Sequence, residues 1–363
     1  MVMTVGLVIE RRCQLAPSTT MVWPLMNRAN GEAKKVAAQP SSRSRPTRMA
    51  GHGLTVSVAG SGGRMGPICD TMAAMAMYLD MVGHRGEPHQ RGWLPRDCTL
   101  YALSVGAGFE SLAFVGEKAS GHPQQVYPSF VCSGGRSDKP SSGDNPMFRF
   151  GDYQVHQLVH GEQELTVHGE IKPGGSVIST STVVGIYDKG SGAVVHSESE
   201  SVDEATGEPM FTTGSKLFVM GEGGFGGDPG PKAPTWDVGE APPDATVNWQ
   251  TLPVQSLLYR HGGNDPNLIH YDPAVAEAAG FDGPILMGLN TYGFACRALV
   301  ETVCGGDPLA LGSMAGRFAS PGYNGDVLTT QIWHSPAEEN EVLFRVVSGR
   351  GTTVFDKGRA TLR

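Results

Sequence analysis

The rhythm of apolar and polar positions changes several times along the chain. Over residues 95–106, Leu100, Leu103 and Ala107 fall on one side of a helical wheel, and Gly106 and Gly108 offer a stop; the spacing predicts a short helix. Residues 176–187 and 193–202 are rich in β-branched side chains and are joined by Asp188-Lys-Gly-Ser-Gly192, a hairpin signal; residues 212–220 read as one more strand. Gly221-Glu-Gly-Gly-Phe-Gly-Gly227 and the Pro-rich run to Pro243 cannot hold regular structure, and they mark the best domain boundary in the chain. A second unit begins after about Val247. Within it, Asp272 and Pro273 make a helix N-cap and first turn, and Gly280 stops that helix. The longest helical signal runs over residues 288–305, with Leu289, Tyr292, Cys296, Leu299, Val300 and Val303 on one apolar face. Strands return at 327–333, 342–347 and 352–362, the last two joined around Gly349 and Gly351. A long helix laid across an antiparallel sheet is the simplest packing that buries both apolar faces, so the expected class is α+β.

Composition narrows the function. The 363 residues hold 28 basic and 36 acidic side chains, a net charge of −8. That balance argues against a nucleic-acid partner, though a local basic patch for an anionic small molecule is compatible with it. No stretch approaches the ~20 continuous apolar residues of a membrane-crossing helix, so no membrane partner is expected. Cys13, Cys69, Cys98, Cys132, Cys296 and Cys304 are scattered without a Cys-x-x-Cys pair. Free thiols are therefore expected, with neither a disulfide framework nor a metal site. Residues 1–75 stand apart. Arg11, Arg12, Arg28, Lys34, Lys35, Arg43, Arg45 and Arg48 face only Glu10 and Glu32 in the first fifty positions, with Ser-rich segments between. A transit segment, a disordered tail and a start codon misassigned upstream of Met49 all fit. Ser57-Val-Ala-Gly-Ser-Gly-Gly-Arg-Met-Gly66 imitates a dinucleotide-binding turn, but the segment after it is too short and irregular for a βαβ unit.

Chemistry concentrates in Tyr259-Arg-His-Gly-Gly-Asn-Asp-Pro-Asn-Leu-Ile-His270. Gly-Gly-Asn-Asp-Pro-Asn demands a turn, which sets Asp265, Asn267 and His270 close together ahead of a helix. A carboxylate and an imidazole can share one water, while Asn267 fixes a substrate or orients its neighbours. The same residues could equally do no more than stabilise the turn. Phe281-Asp-Gly-Pro-Ile-Leu-Met-Gly-Leu-Asn-Thr-Tyr-Gly293 then leads into the long helix. Gly288 sits at the helix start, where its N–H is free and backed by the positive end of the dipole. Such a donor suits the enolate-like oxygen of a reacting thioester.

These segments together resemble the signature of the 2-enoyl-CoA hydratase 2 family, also called MaoC-like. Its pattern is Tyr-Arg-x-x-Gly-Asp-x-Asn-Pro-Leu-His, then Asp-Pro, then Gly-Phe-x-x-Pro-Ile-Leu-His-Gly-Leu. Asp97-Cys-Thr-Leu-Tyr-Ala-Leu-Ser-Val-Gly106, His160-Gly-Glu-Gln163, Asp188-Lys-Gly-Ser-Gly-Ala193 and Gly223-Gly-Phe-Gly-Gly227 resemble the family's N-terminal half. Arg317-Phe-Ala-Ser-Pro321 and Gly325-Asp-Val-Leu328 resemble its C-terminal strands. The resemblance spans roughly residues 76–363.

The resemblance implies a double hot-dog fold, each hot-dog a long helix wrapped by an antiparallel sheet. It divides the chain into 76–222 (non-catalytic, housing the acyl chain), a linker at 223–246 and a catalytic unit at 247–363. The implied reaction is reversible hydration of a trans-2-enoyl-CoA to the (3R)-3-hydroxyacyl-CoA. Asp265 and His270 are its catalytic residues, Gly288 its oxyanion donor, and Asn267 and Arg317 substrate-binding residues. No cofactor is implied, CoA being part of the substrate, and the family expectation is a homodimer in the peroxisome, although Thr361-Leu-Arg363 is not a Ser-Lys-Leu address and the N-terminal segment could name the mitochondrion. Arg297, Lys357 and Arg359 join Arg317 as candidates for the CoA phosphates. Two departures stand out: one residue is inserted ahead of Asp265, so that Asn264 competes for its position, and Met287 replaces the family's His before the oxyanion glycine. A 3-hydroxyacyl-thioester dehydratase of fatty acid synthesis and a non-catalytic acyl-CoA binder are the alternatives.

Overall fold

Strand-forming runs on both sides of the Gly/Pro-rich segment pair into one antiparallel sheet of ten strands. The structure is a computed structural model, described over residues 77–133, 150–153, 157–232, 236, 238 and 241–363. The basic N-terminal segment and Ser57–Gly66 lie outside the described residues. The N-terminal half contributes β1 (His89–Trp93), α1 (Pro95–Ser104), α2 (Leu112–Val115), β2 (Leu158–Val167), β3 (Gly175–Asp188), β4 (Gly192–Asp203) and β5 (Pro209–Met220). The C-terminal half contributes β6 (Ala245–Gln250), α3 (Gln255–Gly262), α4 (Pro273–Ala278), α5 (Gly288–Thr302), β7 (Leu311–Phe318), β8 (Val327–His334), β9 (Glu341–Ser348) and β10 (Thr353–Leu362).

Strand order across the sheet is β1-β3-β4-β5-β2-β7-β10-β9-β8-β6. Renumbering the second five strands as the first five turns this into 1-3-4-5-2 followed by its own reverse. The two halves thus share one topology and meet edge to edge, β2 against β7, from Glu162–Arg317 to Thr166–Ser313. This is the double hot-dog.

Local chemistry explains the elements that match expectation. The β3–β4 hairpin turns where Gly190 takes a φ of +75°, and the Asp188 carboxylate accepts from the Gly190, Gly224 and Gly226 amides, each at 2.8 Å. Those three bonds tie the glycine-rich segment back onto the hairpin and hold the Asp188 carboxyl below its ordinary range. Asp272 caps α4, accepting from the Ala274 amide at 2.9 Å, and Gly280 leaves the helix at φ +84°.

Two expectations need correction. Helix α5 has no single apolar face, since every residue from Asn290 to Val300 is buried. The C-terminal strands curve round one side of it. The other side meets the N-terminal half so closely that a Cβ on Gly293 would lie 2.5 Å from Val105 and 2.8 Å from the Tyr101 hydroxyl. Among the described residues the N-terminal half has no counterpart of that length. A five-residue 3-10 turn, Pro128–Cys132, stands in the corresponding place against α5, and Pro123 and Pro128 each remove a donor that a longer helix would need. Helix α1 also buries the opposite face from the one predicted. Cys98, Tyr101, Ala102 and Val105 point inward, whereas Leu100 and Leu103 are 45% and 42% exposed. Its partner is α3, drawn in at Gly262, where a Cβ would sit 2.7 Å from the Leu100 carbonyl oxygen.

Candidate active site

The turn between α3 and α4 carries the candidate chemistry. Its extra residue is absorbed by Asn264, which adopts a left-handed φ of +54°. Asparagine tolerates that region better than most residues, and the detour leaves Asp265 directed toward the following turn. One carboxylate oxygen, Oδ1, accepts from the Asn267 amide at 2.9 Å. The Asn267 side chain in turn accepts from the Ile269 amide at 3.3 Å and so caps the 3-10 turn Leu268–His270 that presents the imidazole. Asn267 is exposed and serves as a cap.

His270 is buried, 9% accessible, and its Nδ1 lies 3.0 Å from the Ile285 carbonyl oxygen. A carbonyl only accepts, so Nδ1 carries the proton and Nε2 offers its lone pair on the side of Asp265. Burial pushes the His270 pKa below its ordinary value, against the opposing pull of Asp265 and of the Ile285 carbonyl. Nε2 stands 3.9 Å from Asp265 Oδ2. The gap is too long for a direct hydrogen bond, and each side presents an acceptor. Two acceptors at that separation are complementary to a small molecule with two donors, such as water.

The segment that holds His270 is itself clamped. The Leu286 amide donates to the Gly322 carbonyl at 2.8 Å, and Asn324 Nδ2 donates to the Pro284 carbonyl at 3.0 Å. Asn324 Oδ1 accepts from the Ser256 amide at 2.8 Å and from the Ser256 hydroxyl at 2.9 Å, joining this loop to α3. Sequence alone does not mark Ser256 and Asn324 as site residues. The only local signal is the turn Tyr323-Asn-Gly-Asp326, which says nothing of a partner 68 positions away.

Three residues beyond Ile285, Gly288 opens α5, and its N–H has no acceptor within the helix. A Cβ there would lie 3.0 Å from the Phe318 ring, so the glycine makes room for an aromatic wall. Met287 is 1% accessible and packs in the core with Leu286, so the side chain that departs from the family pattern fills interior volume.

Comparison with known proteins points to one family. The family described as MFE-2 hydratase 2 N-terminal domain matches residues 93–221, and the MaoC like domain matches residues 237–356. The probable enoyl-CoA hydratase 2 of Dictyostelium discoideum is 32% identical over 285 residues, which is 78% of this chain and 95% of that one. The 3-hydroxyacyl-thioester dehydratase Y of Mycobacterium tuberculosis is 36% identical over 276 residues, 75% of this chain and 91% of that one. The crystal structure of a MaoC-like dehydratase from Phytophthora capsici superposes with a TM-score of 0.70 at 28% identity, covering 78% of this chain and 97% of that one. The chain belongs to the MaoC-like enoyl-CoA hydratase 2 family.

Not every residue carried over from the family pattern reaches the dyad. Arg317 is exposed and alternates with Phe318 along β7. With Phe318 packed under Gly288, strand alternation sends Arg317 to the opposite face of the sheet, away from the dyad. Arg297 is completely buried. Its guanidinium pairs with Glu110 at 2.7 Å and Glu301 at 2.9 Å and lies 3.6 Å from the Trp249 ring centroid, which removes it from the phosphate candidates. Arg359 is engaged with Glu341 at 2.7 Å. Lys357 is exposed at a left-handed φ of +53°.

Proposed function

We propose that this protein catalyses the reversible hydration of a trans-2-enoyl-CoA to the (3R)-3-hydroxyacyl-CoA, with Asp265 and His270 as the acid–base pair and Gly288 as the oxyanion donor. The observation that carries the roles is the 3.9 Å convergence of two acceptors, Asp265 Oδ2 and the unprotonated His270 Nε2. One water donating a proton to each has its oxygen lone pair free to attack C3 of the enoyl thioester. As the C3–O bond forms, the C2=C3 electrons move toward the thioester carbonyl, and the developing oxygen charge meets the Gly288 N–H and the positive end of α5. The dyad takes one water proton and a proton is delivered to C2, so that OH is added at C3 and H at C2. No electron is gained or lost, and the reaction as proposed needs no cofactor beyond the CoA carried by the substrate.

Acid–base help of this kind contributes about 10²–10⁴ in rate, and one oxyanion donor about 2.7–4 kcal/mol of barrier. Asp265→Ala and His270→Ala are each expected to slow hydration of a medium-chain enoyl-CoA at least about a hundredfold. Steady-state absorbance at the enoyl thioester band measures this; variants as fast as an active parent end the assignment of these two residues, and a parent without turnover leaves the non-catalytic acyl-CoA binder. The 36% identity to a 3-hydroxyacyl-thioester dehydratase supports a second reading in which the same site runs in the dehydration direction. Rates with CoA and carrier-protein thioesters separate the two. A peroxisomal location and a homodimer accompany the family reading, and a fluorescent fusion and light scattering test them.

A further inference from the structure

The motif His160-Gly-Glu-Gln163 takes no part in the proposed acid–base chemistry, yet the fold carries it to the same place. It lies on β2, the strand by which the N-terminal half joins the C-terminal sheet. Beyond Gly161, β2 alternates regularly. Gln163, Leu165 and Val167 are buried, while Glu162 and Glu164 bind Lys216 on the outer face, each at 2.7 Å. Simple alternation would put His160 on that outer face too. The ladder with β5 slips at this point, however, since His160 pairs with Leu217 and Glu162 with Lys216. Two steps on β2 answer one step on β5, so Gly161 is the extra residue of a β-bulge and the parity of His160 is reversed.

The imidazole therefore turns inward. Its centroid lies 4.8 Å from that of Phe318, with the rings at 62°, and the Phe318 ring is the wall against which Gly288 is packed. Nε2 is 3.1 Å from the Glu162 carbonyl oxygen, so it donates there and the ring orientation is fixed. His160 remains partly accessible. Desolvation lowers its pKa to about 4, and the Asp265 carboxylate is close enough to pull the other way. Two geometric features, the bulge and the ring contact, bring His160 to the proposed site, and the pull of the Asp265 carboxylate agrees with them.

We propose that His160 is a positioning residue supplied by the N-terminal half, its ring bracing Phe318 against Gly288 and thereby setting where the thioester oxygen meets the Gly288 N–H. The proposal rests on the hydratase reading for what is being positioned. His160→Ala is expected to lower kcat for crotonyl-CoA hydration about tenfold while KM stays within about threefold, the pattern of reacting atoms held out of place. His160→Phe, which restores a ring, stays within about threefold of the parent, whereas His160→Leu, similar in bulk without a ring, falls with the alanine variant. In a Phe318→Ala background, His160→Ala adds no further loss, because the path runs through that ring. An unchanged kcat in His160→Ala, equal losses in the Phe and Leu variants, or losses that multiply in the double variant would overturn the proposal. Should the alanine variant fail to fold, the contrast between Phe and Leu decides. A parent without hydratase activity defeats the proposed function instead, and the contact is then read by NMR titration of histidine. Asp265→Asn must lower the His160 midpoint if the two share a pocket, and an unmoved midpoint rejects the placement.

Discussion

At the scale of single residues, the proposed site holds two imidazoles whose burial favours the uncharged ring. His270 must offer a lone pair at Nε2, and burial favours the neutral ring that does so. His160 is held down to about 4 by the same cause. Both values lie below that of an unfolded histidine, about 6.5, so between the folded and unfolded values the unfolded chain binds more protons. Stability therefore rises with pH across that window. It is fully present above about pH 7 and is lost as pH falls from 6.5 toward 4. At ~1.4 kcal/mol per pH unit, His160 alone accounts for a loss of up to about 3 kcal/mol. Urea unfolding at pH 7.5, 6, 5 and 4 measures it, and His160→Phe is expected to flatten the dependence by His160's share. A profile as steep in that variant as in the parent would remove the ring from the account.

The residue scale is also where the sequence was most legible. The nearness of Asp265, His270 and Gly288 could be read because their relations are local: a turn that must bend, a spacing of five between carboxylate and imidazole, a helix that must start somewhere; their roles are the proposal made above. The left-handed Asn264 shows where the turn takes up the inserted residue, and only backbone geometry could decide that. Asn324 and His160 could not be given roles from sequence. Each acts across the fold, one by bridging α3 to the Pro284–Met287 segment, the other through a bulge that reverses its parity.

At the scale of elements, α5 is the piece everything else is packed on, and its burial on all sides creates a polar problem that the N-terminal half solves. Arg297, wholly buried, needs counter-charge. Glu301, one turn on, accepts from Arg297 at 2.9 Å and also from the Ser111 hydroxyl and the Tyr127 hydroxyl, both at 2.6 Å. Glu110 supplies the second carboxylate at 2.7 Å. Ser111, Tyr127 and Glu110 all belong to the N-terminal half, so the network is a seam between halves. Breaking a buried pair from one side leaves an uncompensated charge, at a typical cost of about 3–5 kcal/mol. Glu301→Ala is expected to destabilise by that order in denaturant melts, with kcat of the folded fraction near that of the parent. A loss below about 1 kcal/mol, the size of an exposed pair, would mean the seam is not where the halves are held. Element prediction succeeded for α5 and the β3–β4 and β9–β10 hairpins, whose signals are periodic or turn-based. It missed the short outer strands β1 and β6, and it missed β2 and β7. Leu-Val-His-Gly-Glu-Gln-Glu-Leu-Thr-Val and Leu-Gly-Ser-Met-Ala-Gly-Arg-Phe hold too many polar or small residues to read as strands. Both are central in the sheet, stabilised by a partner on each edge, and neither partner is near in sequence. The inverted face of α1 has the same origin: Cys98, Tyr101 and Val105 also fall at helical spacing, and the nearness of α3 selects them.

At the scale of the whole molecule, the proposed chemistry lies entirely in residues 265–288, which invites the view that the C-terminal half is the enzyme and the N-terminal half an accessory. The fold argues otherwise. Separated at the linker, the C-terminal half would expose the edge of β7 that faces β2, leaving the amides and carbonyls directed to that side over 313–317 unpaired, an invitation to aggregation. It would uncover the side of α5 now covered by Tyr101, Val105 and Pro128–Cys132, and strand Arg297 and Glu301 without Glu110, Ser111 and Tyr127. The ring of Phe318 would lose its contact with His160. Residues 241–363 expressed alone are therefore expected to be insoluble or molten, shown by a lost near-ultraviolet circular dichroism signal, and without hydratase activity. The intact chain nicked within 223–232 should behave differently. The β2–β7 ladder and the buried seam are untouched by that cut, so the halves should co-elute and keep most of their activity. A C-terminal half that folds and turns over enoyl-CoA by itself would show that the site owes nothing to β2, and the role of the joint between the sheets in building the site would fall with it.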